Sequence, residues 1–370
     1  MTYGDKIYIW QHEGWPHWSF DRDRLASTLA DVHRAQGHLA GRMHDLGMPL
    51  RDQATLRILT EDVIKTSEIE GENLAPDPVR SSIARRLGVD IGALAASDRH
   101  VDGIVDMTLD AMQNHKAPLT AERLFGWHAA LFPTGYSGLS KIHVGGWRSD
   151  EAGPMQVVSG PIQRRKVHFE APPADRLNIE MKIFLDWFNE NQNEDLVIKA
   201  GIAHLWFVTI HPFEDGNGRI ARAVCDMMLA RSEQSASRYY SLSAEIQRHR
   251  KTYYEQLEKT QKGDLDITDW LGWFLKSLLA AVQGAEETLN SILAKAHFWQ
   301  RISGVALNER QIKVLNRLLD GFEGKLTSSK WAALTKCSQD TALRDIAELQ
   351  GKNILKKSSA GGRSTSYELI

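Results

Sequence analysis

Apolar residues return every three or four positions through most of this chain, the spacing of one buried face of an α-helix. The stretch "DRDRLASTLADVHRAQGHLAGRMHDL" (21–46) predicts a first helix, with Asp21 or Asp23 suited to its opening turn. "RDQATLRILTEDVIKTSEIEGENL" (51–74) predicts a second, with Gly71 placed to end it. Helical spacing restarts after the prolines at 76–88, and again at 101–113 and 120–132, the last opening at Thr120 as N-cap. It resumes at 174–191 and 195–210, from about Gly218 to Arg231, at 239–263 and at 266–299. Between 132 and 173 the pattern breaks into Gly- and Pro-rich chain. Two short β-like runs there, "MQVV" and "KVHF", flank "SGPIQRR" and predict a hairpin or flap. Residues 305–370 read as three helices, a strand, a glycine tip and a strand, the order of a winged helix-turn-helix.

Composition narrows this only slightly. Of 370 residues, 42% are hydrophobic and 25% charged, an ordinary globular balance, and the length allows two or three domains. A formal net charge of -2 gives no global field toward nucleic acid or membrane, so any basic surface must be local. Residues 305–370 carry 11 Lys and Arg against 7 Asp and Glu, a local excess of +4. The two cysteines, Cys225 and Cys337, form neither a disulfide framework nor a metal spacing. The opening residues lack the pattern of a signal peptide, and no uncharged apolar run reaches about 18 residues. The expected location is the cytoplasm, with no membrane partner. Trp10, Trp15 and Trp18 are expected to fill core.

The chemistry concentrates in "HPFEDGNGRIAR", His211 to Arg222. Pro212 disfavours the α conformation for the residue before it, so the preceding helix should end at His211 and leave its imidazole on a loop. Gly216 and Gly218 flank Asn217 and let the backbone turn tightly and approach a ligand. The first N–H groups of the next helix then form an anion cradle. Arg219 and Arg222 share one face of that helix, and two guanidiniums beside such a cradle suit a polyphosphate. Asp215 would repel phosphate unless a cation intervenes, which points to Mg²⁺. His211 is then a general base for a hydroxyl attacking phosphorus. A zinc triad of His204, His211 and Asp215 has no usual spacing, and His204 is expected to face the core.

This string resembles the Fic family pattern H-P-F-x-[DE]-G-N-G-R-x-x-R at every fixed position. The resemblance implies a mainly α fold: an all-helical Fic core with a β-hairpin flap, an N-terminal helical module and a C-terminal winged helix. The corresponding domains are 1–105, 106–295 and 300–370. It implies transfer of AMP from ATP to a Ser, Thr or Tyr hydroxyl of a target protein, or of the enzyme itself, with release of pyrophosphate. His211 would be the base and Asp215 the Mg²⁺ ligand. Gly216, Asn217, Gly218, Arg219 and Arg222 would hold the phosphates. Val167, His168, Phe169 and Glu170 would form the nucleotide-facing end of the flap, and Tyr253 and Tyr254 would line the adenine pocket. "TSEIEG" resembles the inhibitory motif [ST]-x-x-x-E-[GN] of the same family, giving Thr66, Glu70 and Gly71, with Glu70 pairing with Arg222 ahead of ATP's γ-phosphate. Relatives of this kind often self-associate, and no stretch here specifies a dimer interface.

Two other readings stand beside this one. The same site could remove AMP from a modified protein, with Glu70 positioning water. Alternatively the winged helix could bind DNA, with the Fic core as a sensor. Arg344 would then lie near the groove and Lys356, Lys357 and Arg363 on the wing. Docking of a protein is the remaining use of such a module.

Overall fold

A computed structural model describes residues 8–370 apart from 93, 152, 161–163, 191–193, 320–321, 323 and 359–364. The chain divides into two compact units, Met1–Ala285 and Glu286–Ile370. The first is built from helices α1 (Arg22–His44), α2 (Met48–Ile69), α3 (Pro76–Leu87), α4 (Arg99–Gln113) and α5 (Ala121–Leu131). Two small antiparallel pairs follow, β1 (Tyr136–Ser137) with β2 (Ser140–Lys141) and β3 (Gln156–Ser159) with β4 (Lys166–Glu170). Then come α6 (Leu177–Asn189), α7 (Leu196–Ile210), α8 (Asn217–Glu233), α9 (Leu242–Arg248), α10 (Arg250–Gln261) and α11 (Thr268–Arg301), whose last turns belong to the second unit. Among the described residues no helix is long and apolar enough to cross a membrane.

The helix starts follow their caps. Asp21 accepts from the Arg24 N–H and Thr120 from the Arg123 N–H. α1 buries Leu25, Val32, Gln36, Leu39 and Met43, one stripe at helical spacing. α7 differs: every residue from Val197 to Ile210 is buried. A helix that is apolar all round belongs in the middle of a bundle. α7 packs against α6 and α8, and α8 touches α2, α4 and α5, so the motif's helix stands at the centre of the unit. Trp15, Trp18 and Trp206 meet edge to face, with centroids 4.8–6.2 Å apart, and Trp15 Nε1 donates to Glu180 at 2.8 Å. The N-terminal tryptophans therefore pack on the core.

One predicted helix proves to be two. Residues 239–263 read as continuous, but the chain bends at His249 (φ -115°, ψ 32°), between α9 and α10. Ser241 caps α9.

The second unit places α12 (Glu309–Leu319), α13 (Ser328–Thr335) and α14 (Gln339–Gly351) ahead of an antiparallel pair, β5 (Leu355–Lys357) and β6 (Tyr367–Leu369). Val314, Leu315, Trp331, Ile346, Leu349 and Ile354 form its core. Asp345 of α14 is buried and accepts from Arg310 Nε at 2.7 Å and Asn308 Nδ2 at 2.9 Å, so its charge is internal to the unit. Arg344, Lys356 and Lys357 are exposed, Lys356 lies 3.4 Å from Glu368, and Arg363 lies outside the described residues.

Candidate active site

α7 ends where Pro212 requires it to end. His211 caps the helix in the left-handed region, φ 52° and ψ 58°, an uncommon conformation for a side chain other than glycine. The turn is held from several sides. Phe213 is buried and stacks on His128, centroids 4.2 Å apart. The Asn217 side chain grips Phe213, accepting from its N–H at 2.9 Å and donating to its carbonyl at 2.8 Å. Gly216 sits at φ 81°, and a Cβ there would lie 2.9 Å from the Phe132 ring. Arg148, a buried residue of the Gly-rich stretch, donates to the His211 carbonyl at 2.8 Å.

The His211 ring points Nδ1 at the Val208 carbonyl, 3.2 Å away. That bond needs the proton on Nδ1 and leaves Nε2 as the basic nitrogen. Burial pushes the imidazole down to about 4, so it is neutral near pH 7. Asp215 accepts from its neighbour's N–H, Gly216, at 2.6 Å and from the Ser137 hydroxyl. It lines a cavity of about 410 Å³ with Arg219, Glu70, Glu72, His100 and residues of the β1 loop.

Both arginines of the motif are buried and both meet a carboxylate. Arg222 Nη2 donates to Glu70 at 2.7 Å and to the Thr66 carbonyl at 2.9 Å, while Nε donates to the Thr66 hydroxyl at 2.6 Å. Burial lowers the charge preference of Arg222, and Glu70 more than restores it. Arg219 lies over the Phe132 ring and donates to Glu72 at 3.1 Å. Each guanidinium keeps one buried nitrogen without a partner among the described residues, Nε of Arg219 and Nη1 of Arg222. Glu70 comes so close to the start of α8 that a Cβ on Gly218 would lie 2.2 Å from its Oε1. The second motif glycine thus accommodates this carboxylate.

Glu72 and His100 had no place in the sequence argument. His100 of α4 contacts Glu72 through Nε2 and the Leu131 carbonyl through Nδ1 at 3.1 Å. The shared hydrogen bond raises the His100 pKa and lowers that of Glu72. Gly71, at φ 87°, separates Glu70 from Glu72.

The two tyrosines of α10 part company. Tyr253 is buried, its hydroxyl 2.9 Å from His204 Nε2, and His204 faces the core. Tyr254 is 38% exposed and donates to the Ile69 carbonyl at 3.2 Å. In the flap, β3 pairs with β4 through Val157–Phe169 and Val158–Val167 with a bulge between them. Phe169 is buried against Tyr8, and Trp10 Nε1 donates to the Glu170 carbonyl at 2.8 Å. His168 reaches Glu258 of α10 at 2.6 Å. Against the cost of burial, Lys262 and His168 hold that carboxylate down to about 2.

A profile described as Fic/DOC family matches residues 118–229, and one described as a domain of unknown function (DUF4172) matches 8–89. A protein adenylyltransferase Fic from Culex quinquefasciatus is 34% identical over 115 residues, 30% of this chain and 22% of the relative. One from Drosophila willistoni is 27% identical over 254 residues, 67% and 45% of the two chains. The chain thus spans less than half the length of these curated relatives. Among solved structures, a Fic family protein from Desulfovibrio desulfuricans G20 matches with TM-score 0.53 and 22% identity over 94% of this chain and 96% of that one. A Fic domain containing signaling protein from Bacteroides thetaiotaomicron matches with TM-score 0.51 and 18% identity over 72% and 98%. These two share the fold. Residues 118–229 of the chain carry a Fic domain.

Proposed function

We propose that this protein transfers AMP from ATP to a hydroxyl side chain of a protein, itself included, and that Glu70 holds the resting form back. One observation carries the reading. Two buried guanidiniums stand in the first turns of α8, each with a nitrogen unpartnered among the described residues, while Glu72 meets Arg219 and Glu70 meets Arg222 beside Thr66. Unpartnered donors at the positive end of a helix suit the oxygens of a polyphosphate. Glu70 and Glu72 stand where those oxygens would bind.

The step balances with the residues present. The hydroxyl oxygen attacks the α-phosphorus, the bond to the α–β bridging oxygen breaks, and pyrophosphate leaves. Nε2 of His211 takes the hydroxyl proton. Asp215 fits a magnesium ion brought with the phosphates, which needs one or two protein carboxylates, and that ion would neutralise charge on the leaving group. No group of three or more metal-ligating side chains stands together among the described residues. β3 and β4 form a two-stranded sheet with open edges, one of which suits a target segment added as a further strand.

The test is labelling of a cell lysate by α-labelled ATP and Mg²⁺ with purified protein. Glu70→Gly should label protein bands, and Glu70→Gly with His211→Ala should label none. No label from a Glu70→Gly protein that binds ATP would refute the reading.

A further inference from the structure

Arg148 belongs to no motif, yet its side chain is wholly buried. A buried guanidinium is tolerated only where its donors are satisfied. Here two of them meet backbone carbonyls and one a carboxylate. Nε donates to the His211 carbonyl at 2.8 Å, Nη2 to the Pro172 carbonyl at 2.5 Å and Nη1 to Asp150 at 2.7 Å. The Arg148 N–H donates to the Pro212 carbonyl at 2.9 Å. The other Asp150 oxygen accepts from the Ala174 N–H at 2.6 Å. Two of these groups belong to the left-handed turn that carries the imidazole. Two more belong to the chain just after β4, the root of the flap. A strained turn persists only where its surroundings over-determine it, and among the described residues Arg148 is the one side chain that reaches both turn and flap root through its own donors.

We propose that Arg148 is a positioning residue for the transfer reaction: it fixes the His211 backbone and the flap root in one register, so that the base and the strand presenting the target hydroxyl are set together. The inference rests on the transfer reading above. An arginine is required because its planar fork reaches three acceptors in fixed directions, which a lysine ammonium does not.

The full chain with Arg148→Lys, and separately Asp150→Asn, in a Glu70→Gly background, provides the test. Hydrogen exchange of the amides at 208–216 and 166–174 should rise about tenfold together in Arg148→Lys and less in Asp150→Asn, with 99–131 unchanged. ATP should bind within about twofold of the parent, while turnover falls ~100-fold, the cost of a misplacement near 1 Å. Equal protection of both segments, loosening that extends through 99–131, or unchanged turnover would each overturn the inference. If Glu70→Gly transfers no AMP but the paired loosening and its confinement hold, the transfer reading fails and the mechanical link stands.

Discussion

The loop that carries His211 and the segment that carries Glu70 face the same cavity but are held in different ways. The loop is tied through backbone: Arg148 to the His211 carbonyl, Asn217 to both polar groups of Phe213, and Phe213 itself buried. The Thr66–Glu72 segment is tied mainly to the side chains of Arg219, Arg222 and His100, with Glu70 and Glu72 each about one-third exposed and Gly71 between them. Arg148 is wholly buried with its donors taken, whereas Arg219 and Arg222 each keep a buried nitrogen without a partner among the described residues and meet carboxylates that water reaches. An incoming anion is therefore expected to displace the second set of contacts before the first.

The comparison breaks most visibly at the base. His211→Ala in a Glu70→Gly background should cost ~10²–10⁴-fold in transfer with ATP binding retained, read as labelled product per unit time. Next comes the clamp. Glu70→Gly should raise transfer by about 100-fold over wild type, because the arginine donors become free to align the phosphates.

Smaller is the second carboxylate. Adding Glu72→Gln to Glu70→Gly should give a further ~2–5-fold in kcat/KM, the scale of one half-exposed ion pair. Equal rates in the two variants would show that Arg219 is not restrained.

The mildest effect is on pH. Burial lowers His128, His204 and His211 to about 4, 3 and 4. In the unfolded chain they return to about 6.5, so that state binds more protons as pH falls. Their stability contribution is present above pH 6.5 and declines progressively toward pH 4. His100 runs the other way: its raised pKa stabilises the fold below 6.5, and that contribution is lost as pH rises through the raised value. Asp226, which burial raises to about 6, and Glu233, also raised by burial, act with His100 against the three imidazoles, so the unfolding temperature should fall only slightly from pH 7 to 5 in calorimetry of the full chain.

Much of this was legible in the sequence. Helical spacing placed α1 to α8, and the motif placed the end of α7 at His211 and the start of α8 near Gly218, because each depends on local rules of turns and helix ends. The pairing of Glu70 with Arg222 came from family resemblance, and a separation of 152 residues gives no local signal for it. Arg148 was illegible for the same reason: its partners are carbonyls 24 and 63 residues away, and carbonyls carry no sequence signature. Glu72 and His100 are an ordinary acid and histidine until α2 and α4 bring them together. The tyrosines of α10 looked equivalent, and only packing against His204 buried one and left the other beside Ile69.

The central claim is tested most directly by pairing two products in one reaction. Glu70→Gly, ATP and Mg²⁺ should yield pyrophosphate and protein-bound AMP in equal amounts, at a rate about 100-fold above wild type. Pyrophosphate without protein-bound AMP, or equal rates from the two proteins, would contradict a transferase restrained by Glu70.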